Sequence, residues 1–191
     1  MKENFDKCLT LLLSPKYEGK FSNRKADRGG PTNQGITLKT LQKFYAEYDY
    51  GDMDADGDID IDDIIALDTP KEAAPIYKKW FWDALNLDNY PSGIDFLMFD
   101  FAVNSGPFNA KKILQLSLNK LRCRLDVDGI IGKKTINALQ STDRELLIKA
   151  MLNERDIFYR KIVANDLSQE MFLKGWLNRI AQLAVDVRRF I

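Results

Sequence analysis

Two carboxylates, Glu18 and Asp27, flank an irregular Gly- and Asn-rich stretch that runs from Glu18 to Gly35. A pair of acids on one such segment suits glycosidic-bond hydrolysis. One carboxylic acid protonates the leaving oxygen, and in inverting enzymes a second carboxylate activates water from about 6.5–9.5 Å away. Asp27 opens the turn Asp27-Arg28-Gly29-Gly30, and glycine, lacking a Cβ, lets backbone N–H groups approach a ligand closely. Gly30 and Asn33 are therefore candidate substrate contacts. The residue types alone also permit a plainer reading, in which Glu18 pairs with Lys16 or Lys20 and Asp27 only nucleates a turn. The chain contains no histidine, which removes Ser-His and Cys-His nucleophiles and nearly every zinc site, and leaves carboxylates as the natural acid–base groups.

A second cluster of acids has a different spacing. Asp52-Met53-Asp54-Ala55-Asp56-Gly57-Asp58-Ile59-Asp60-Ile61-Asp62-Asp63 matches the twelve-residue calcium loop of an EF-hand or dockerin. Acids at positions 1, 3 and 5 (Asp52, Asp54, Asp56) supply oxygens, Gly57 makes the sharp turn at 6, Asp58 offers its carbonyl at 7, and Ile59 at 8 packs inward. Asp60 and Asp63 complete the ligand set. Asp63 stands where glutamate is usual, so its shorter side chain reaches less easily for bidentate ligation. The expected cofactor is structural Ca2+, with a disordered acidic linker as the alternative.

These groups must be held by helices. Helical periodicity dominates and no run alternates like a half-buried strand, so the expected fold is all-α. A first helix covers residues 2–13 and stops before Pro15, and the polar stretch from Glu18 to Gly35 is read as lacking regular structure. Thr37 caps a helix whose Leu38, Leu41, Phe44, Tyr45 and Tyr48 share a face. Thr69-Pro70-Lys71-Glu72 combines an N-cap, a first-position proline and a capping-box glutamate, starting a helix that runs to about Asp83. Gly93 to Val103 is nearly all apolar and predicts a helix buried on most sides. Ala110 to Leu121 is amphipathic, Asp126 to Gly132 is a turn, and Thr142-Asp143-Arg144-Glu145 reads as a second capping box. Two long helices finish the chain, the last with Phe172, Trp176, Ile180, Leu183, Val187 and Phe190 on one face.

Within the buried helix, Asp100 and Asn104 are four residues apart and share a face, where an unpaired polar group is costly. Either they line a cleft or they are hydrogen-bonded in the core, and the cleft is the expectation. Trp80 and Trp82, two apart, point in different directions. One of them, taken as Trp80, contacts sugar while the other packs in the core.

Composition bounds the rest. The 191 residues allow one core or two small lobes, and 28 basic residues balance 28 acidic ones, which gives no reason to expect a nucleic-acid partner. Nine of the acids are aspartates between Asp49 and Asp68, so 19 acidic residues face 28 basic ones elsewhere, a bias suited to an anionic polymer such as the cell wall. Cys8 and Cys123 are read as reduced and structural. The early apolar residues Leu9 and Leu11 to Leu13 are too few for a secretory signal or membrane span. The expectation is a protein made in the cytoplasm without a signal peptide or membrane insertion, acting on the wall after release or export by another system.

Tyr17 to Thr37 resembles the signature of the phage-type muramidases of glycoside hydrolase family 108. In that family a first helix leads into Glu-Gly-Gly and then Asp-x-Gly-Gly-x-Thr-Asn-x-Gly-Ile-Thr. Here these positions read Glu18-Gly19-Lys20 and Asp27-Arg28-Gly29-Gly30-Pro31-Thr32-Asn33-Gln34-Gly35-Ile36-Thr37. The order Glu, Asp, Thr is also similar to the triad of tailed-phage lysozymes, which implies Glu18 as acid, Asp27 as base and Thr32 as the group orienting water. Ile76 to Asp83 and Phe99 to Pro107 resemble the family's aromatic helix and central motif. Val127 to Thr135 resembles its carboxy-terminal peptidoglycan-binding part. One departure is Lys20, where the family usually has its second glycine, because an ammonium near Glu18 lowers the pKa that a general acid needs raised.

The resemblance implies a lysozyme-like fold with a catalytic lobe over 1–106, including the calcium loop, and a peptidoglycan-binding lobe over 107–191. The implied reaction is hydrolysis of the β-1,4 bond between N-acetylmuramic acid and N-acetylglucosamine, in a phage-like or secretion-activator setting. A lytic transglycosylase and a non-catalytic calcium-binding wall adaptor are the alternatives.

Overall fold

Apolar spacings of three and four residues recur through the chain, and the computed structural model answers them with helix after helix. It describes residues 4–14, 21, 23 and 30–191. Packing divides these into two units, Phe5–Trp80 on the one hand and Asn4 with Phe81–Ile191 on the other.

The first unit holds α1 (Asn4–Leu12), a hairpin of β1 (Thr32–Asn33) and β2 (Ile36–Thr37), α2 (Leu38–Tyr48), α3 (Ile61–Ala66) and α4 (Pro70–Tyr77). Helix α1 buries Phe5, Cys8, Leu9 and Leu12. The Thr37 side chain caps α2 by accepting from Thr40 N–H at 3.1 Å, which satisfies an otherwise orphaned donor. The expected capping box starts α4, with Thr69 N–H donating to Glu72 Oε2 at 2.9 Å. Helix α4 then widens into a π-helical turn, Lys78–Asp83, which begins three residues after Pro75, a residue with no N–H to donate to the ladder.

The second unit is built on α5 (Ile94–Ser105), whose residues from Ile94 to Ala102 are all buried. Around it lie α6 (Pro107–Lys120), α7 (Lys133–Ser141), α8 (Arg144–Asn165) and α9 (Glu170–Asp186). Gly93 leads into α5 at φ +92, and a Cβ there would meet Ile191, Val187 and Ile148 at 3.2–3.4 Å. Among the described residues no helix is long and apolar enough to cross a membrane. Cys8 and Cys123 are both thiols, not joined in a disulfide.

Two local expectations are corrected. The stretch before Gly35 is not wholly irregular, since Thr32 pairs with Thr37 and Asn33 with Ile36. Gln34 and Gly35 make the turn at φ 48 and 73, the positive-φ pair that a tight two-residue hairpin requires. The N-cap of α8 is Asp143 and not Thr142: its carboxylate accepts from Leu146 N–H at 2.9 Å. The Thr142 hydroxyl instead donates back to Ala138 O at 2.6 Å.

Candidate functional site

The hairpin presents Thr32 at the end of the segment that carries the candidate acids. Its hydroxyl donates to Gly30 O at 3.0 Å, which leaves the lone pairs of Oγ1 available to accept from a water. Asn33 is 5% exposed and turned inward. Its amide nitrogen donates to Ile64 O at 3.0 Å and Ile65 O at 3.4 Å, and its oxygen accepts from Gln34 N–H at 3.0 Å. Asn33 thus ties the hairpin to α3, while Tyr77 donates its hydroxyl to Gln34 O at 2.8 Å and Gln34 Nε2 reaches Asp68 O at 2.7 Å. Glu18 and Asp27 lie outside the described residues.

The segment before α3 is wound by its own aspartates. Asp52 Oδ2 accepts from Gly57 N–H at 3.1 Å, Asp54 Oδ1 from Asp56 N–H at 3.3 Å, Asp56 Oδ1 from Asp58 N–H at 3.0 Å, and Asp60 Oδ1 from Asp62 N–H at 2.7 Å. Gly57 turns at φ 98. Asp63 is 1% exposed, and its two oxygens accept from Met53 N–H at 2.5 Å and Asp60 N–H at 2.9 Å. Carboxylate oxygens of Asp52, Asp54 and Asp63, and of Asp58, Asp60 and Asp63, come within 4.8 Å of one another. Asp52 Oδ1 is buried without a hydrogen-bond donor. Burial, followed by the charges of Asp56, Asp63 and Asp52, raises the pKa of Asp54. The carboxylate of Asp56 and then burial do the same for Asp58.

The π turn separates the two tryptophans. Trp82 is fully buried, edge-on to Phe99 at 5.4 Å, and donates its indole N–H to Asp88 at 2.9 Å. Trp80 is half-buried, edge-on to Phe44 at 5.2 Å, with Lys43 Nζ 5.2 Å from its ring centroid.

In the second unit, Asp100 does not wall a cleft. It is 0% exposed, with Arg155 Nη1 on Oδ1 and Arg179 donating to Oδ2 through Nε at 3.0 Å and Nη2 at 2.7 Å. Burial alone would push this carboxyl up, but the two guanidinium charges outweigh it and hold the pKa below the usual carboxylate range. Arg155 also donates to Tyr159 Oη at 3.0 Å, and Tyr159 donates its hydroxyl to Asn104 Oδ1. The residues that sequence reasoning missed are thus Arg155, Tyr159 and Arg179. A signal was present, because Arg155 and Tyr159 repeat on α8 the four-residue spacing of Asp100 and Asn104 on α5. Asn104 itself is exposed and does line a cleft of ≈ 290 Å³ with Asn109, Phe158, Gln169 and Trp176. The structure therefore groups Gly30, Thr32, Asn33, Trp80 and the acidic loop in the first unit, and Asp100 and Asn104 in the second.

A further cleft of ≈ 220 Å³ lies over the turn before α7, lined by Gln115, Asp126, Asp128, Lys133, Lys134 and Thr135 among others. Gln115, 1% exposed, clamps this turn. Its Nε2 donates to Asp128 Oδ1 at 2.8 Å and Ile130 O at 3.0 Å, and its Oε1 accepts from Gly129 N–H at 2.8 Å.

Comparison with known proteins finds two family profiles and a solved structure similar to this chain. Residues 109–181 match the profile described as a predicted peptidoglycan domain. The solved structure of Brucella abortus SagA is similar over 100% of this chain and 97% of its own, with 28% identity and a TM-score of 0.76. No curated protein matches the chain. The two profiles support a peptidoglycan hydrolase, a glycoside hydrolase with peptidoglycan as its substrate. Residues 14–106 match the profile described as glycosyl hydrolase 108.

Proposed function

We propose that the protein is an N-acetylmuramidase that hydrolyses the β-1,4 bond between N-acetylmuramic acid and N-acetylglucosamine. Glu18 protonates the leaving oxygen and Asp27 takes a proton from the attacking water. Thr32 accepts a hydrogen bond from that water, which fixes its orientation. The observation that carries the reading is the tie of the Thr32 hydroxyl to Gly30 O, 3.0 Å away, on a hairpin inside the matched family segment. A donor already committed to the backbone leaves Thr32 only accepting capacity, which suits a water about to be deprotonated. The catalytic lobe is assigned to 1–106 and wall binding to 107–191. The protein reaches the wall by release or by another export system.

We also assign a structural Ca2+ to Asp52, Asp54, Asp56, Asp60 and Asp63, with the carbonyl of Asp58. The donor set consists of oxygens, as a hard cation requires. Asp52 Oδ1, buried with no donor, is an atom such an ion would satisfy. When bound, the ion supplies charge neutralisation. The protein's own contacts pass the resulting rigidity onward, from the loop into α3 and through Asn33 to the hairpin that holds Thr32.

Purified sacculi test the reaction. Glu18→Gln is expected to abolish lysis with an unchanged helical circular-dichroism signal, and the wild-type product is expected to be a reducing sugar of inverted anomeric configuration. Lysis by the variant at the wild-type rate overturns the assignment of the acid, and anhydromuramyl products overturn hydrolysis.

A further inference from the structure

The cleft over the turn before α7 combines features of opposite charge. On one side is the start of α7, where Gly132 provides no side-chain cap. The first intrahelical bond is Ile136 N–H to Gly132 O at 3.0 Å, so the amides of Lys133, Lys134 and Thr135 precede it and point outward from a positive helix end. Lys133 and Lys134 line the cleft at the same end. On the other side are Asp126 and Asp128, both exposed. Gln115 and the Ile130 N–H hold Asp128 Oδ1 at 2.8 Å each.

Thr135 supplies the second observation. It is 4% exposed and lines the cleft, yet its hydroxyl has no hydrogen-bond partner among the described residues. The hydroxyl opens onto the cleft, where it is able to donate to a ligand oxygen.

We propose that this cleft binds the zwitterionic end of a peptidoglycan stem peptide, its α-carboxylate on the α7 amides and Thr135, its ammonium on Asp126 and Asp128. The proposal rests on the peptidoglycan-hydrolase reading and adds the chemical class that the second unit selects. A neutral glycan would leave both charged sides unpaired. A simple anion would use the helix end and be repelled by the two aspartates.

The test titrates the whole 15N-labelled protein with the tripeptide L-Ala-γ-D-Glu-meso-diaminopimelate and follows the amides of Gly129, Lys134 and Thr135. Parallel arms use the tripeptide amidated at its carboxyl end, the tripeptide acetylated on its side-chain amine, N-acetylglucosamine tetramer and inorganic phosphate. Only the unmodified tripeptide is expected to shift these amides strongly. Thr135→Val and Lys134→Ala should each weaken it about tenfold, the scale of a hydrogen bond or ion pair to a charged group. The folded state of each variant is checked by its melting curve.

Equal binding of phosphate, perturbation of the same amides by the glycan tetramer, no response to the tripeptide, or wild-type affinity in both variants would overturn the proposal. Cleavage of peptide-free glycan strands is measured on the same preparation. Cleavage without tripeptide binding overturns this site and leaves the muramidase reading. Tripeptide binding without cleavage supports the site and overturns that reading.

Discussion

Replacing Asp100 by asparagine removes the carboxylate that the buried Arg155 shares with the part-buried Arg179. Arg155 is 3% exposed in its side chain, so it cannot recover its lost partner from water without moving. Arg155 Nη2 has no hydrogen bond even in the native structure. Its guanidinium instead lies 4.7 Å from the Phe101 ring centroid, a contact that compensates only in part. Breaking a buried pair by deleting one side costs about 3–5 kcal/mol, a large share of the roughly 5–15 kcal/mol that holds a domain folded. Urea unfolding followed by circular dichroism at neutral pH should show that loss for Asp100→Asn. Making all three positions apolar (Asp100→Leu, Arg155→Met and Arg179→Met) should restore much of it, because no charge is then stranded. The pH dependence has a definite sign. Asp100 has a folded pKa below its ordinary value, so its contribution is fully present above the ordinary carboxylate range and is lost as pH falls through the folded pKa. The gap between wild type and Asp100→Asn should therefore narrow in strong acid. A loss below about 1 kcal/mol, with sacculus lysis abolished, would refute this reasoning and return Asp100 to the substrate cleft.

Other expectations follow from the same contacts. Excess calcium should raise the melting temperature and chelation lower it; Asp52→Ala or Asp56→Ala should erase the response and Asp68→Ala should not. Calorimetry showing no binding at millimolar calcium would refute the metal assignment. Because Asp54 and Asp58 have folded pKa values above the ordinary one, the metal-free loop should lose stability as pH rises from the ordinary value through the raised one. The calcium effect should shrink again on acidification across that range, as read by melting curves with and without chelator. Thr37→Ala should cost about 1 kcal/mol through the lost cap of α2, measured by urea unfolding. Gln115→Leu should cost about 1–3 kcal/mol by freeing the Gly129 amide, and hydrogen exchange at that amide should accelerate; unchanged protection would show that the clamp is not needed.

Much of the fold follows from local chemistry that the sequence displays. The buried character of α5 was legible because seven of the nine residues from Ile94 to Ala102 are apolar, and a helix that apolar must be covered on most sides. The Thr37 cap, the Thr69–Glu72 box and the sharp turn at Gly57 were legible because each depends on residues within a few positions of one another. The hairpin of Thr32–Asn33 and Ile36–Thr37 was missed because two-residue strands are too short to show alternation, although Asn33-Gln34-Gly35 carries a turn signal.

Where a polar side chain finds its partner was settled by tertiary structure alone. Asn33 sits in a motif that suggests substrate contact, yet its amide is spent on carbonyls about thirty residues away in α3. Asp100 and Asn104 share a face and a spacing, but one ends fully buried between arginines that lie 55 and 79 residues further along the chain, and the other ends at a cleft mouth. Periodicity places a residue on a face of its own helix. Whether that face meets water, a cleft or a guanidinium depends on which distant helix packs against it, and that choice is made by the summed packing of the whole unit and not by any local pattern.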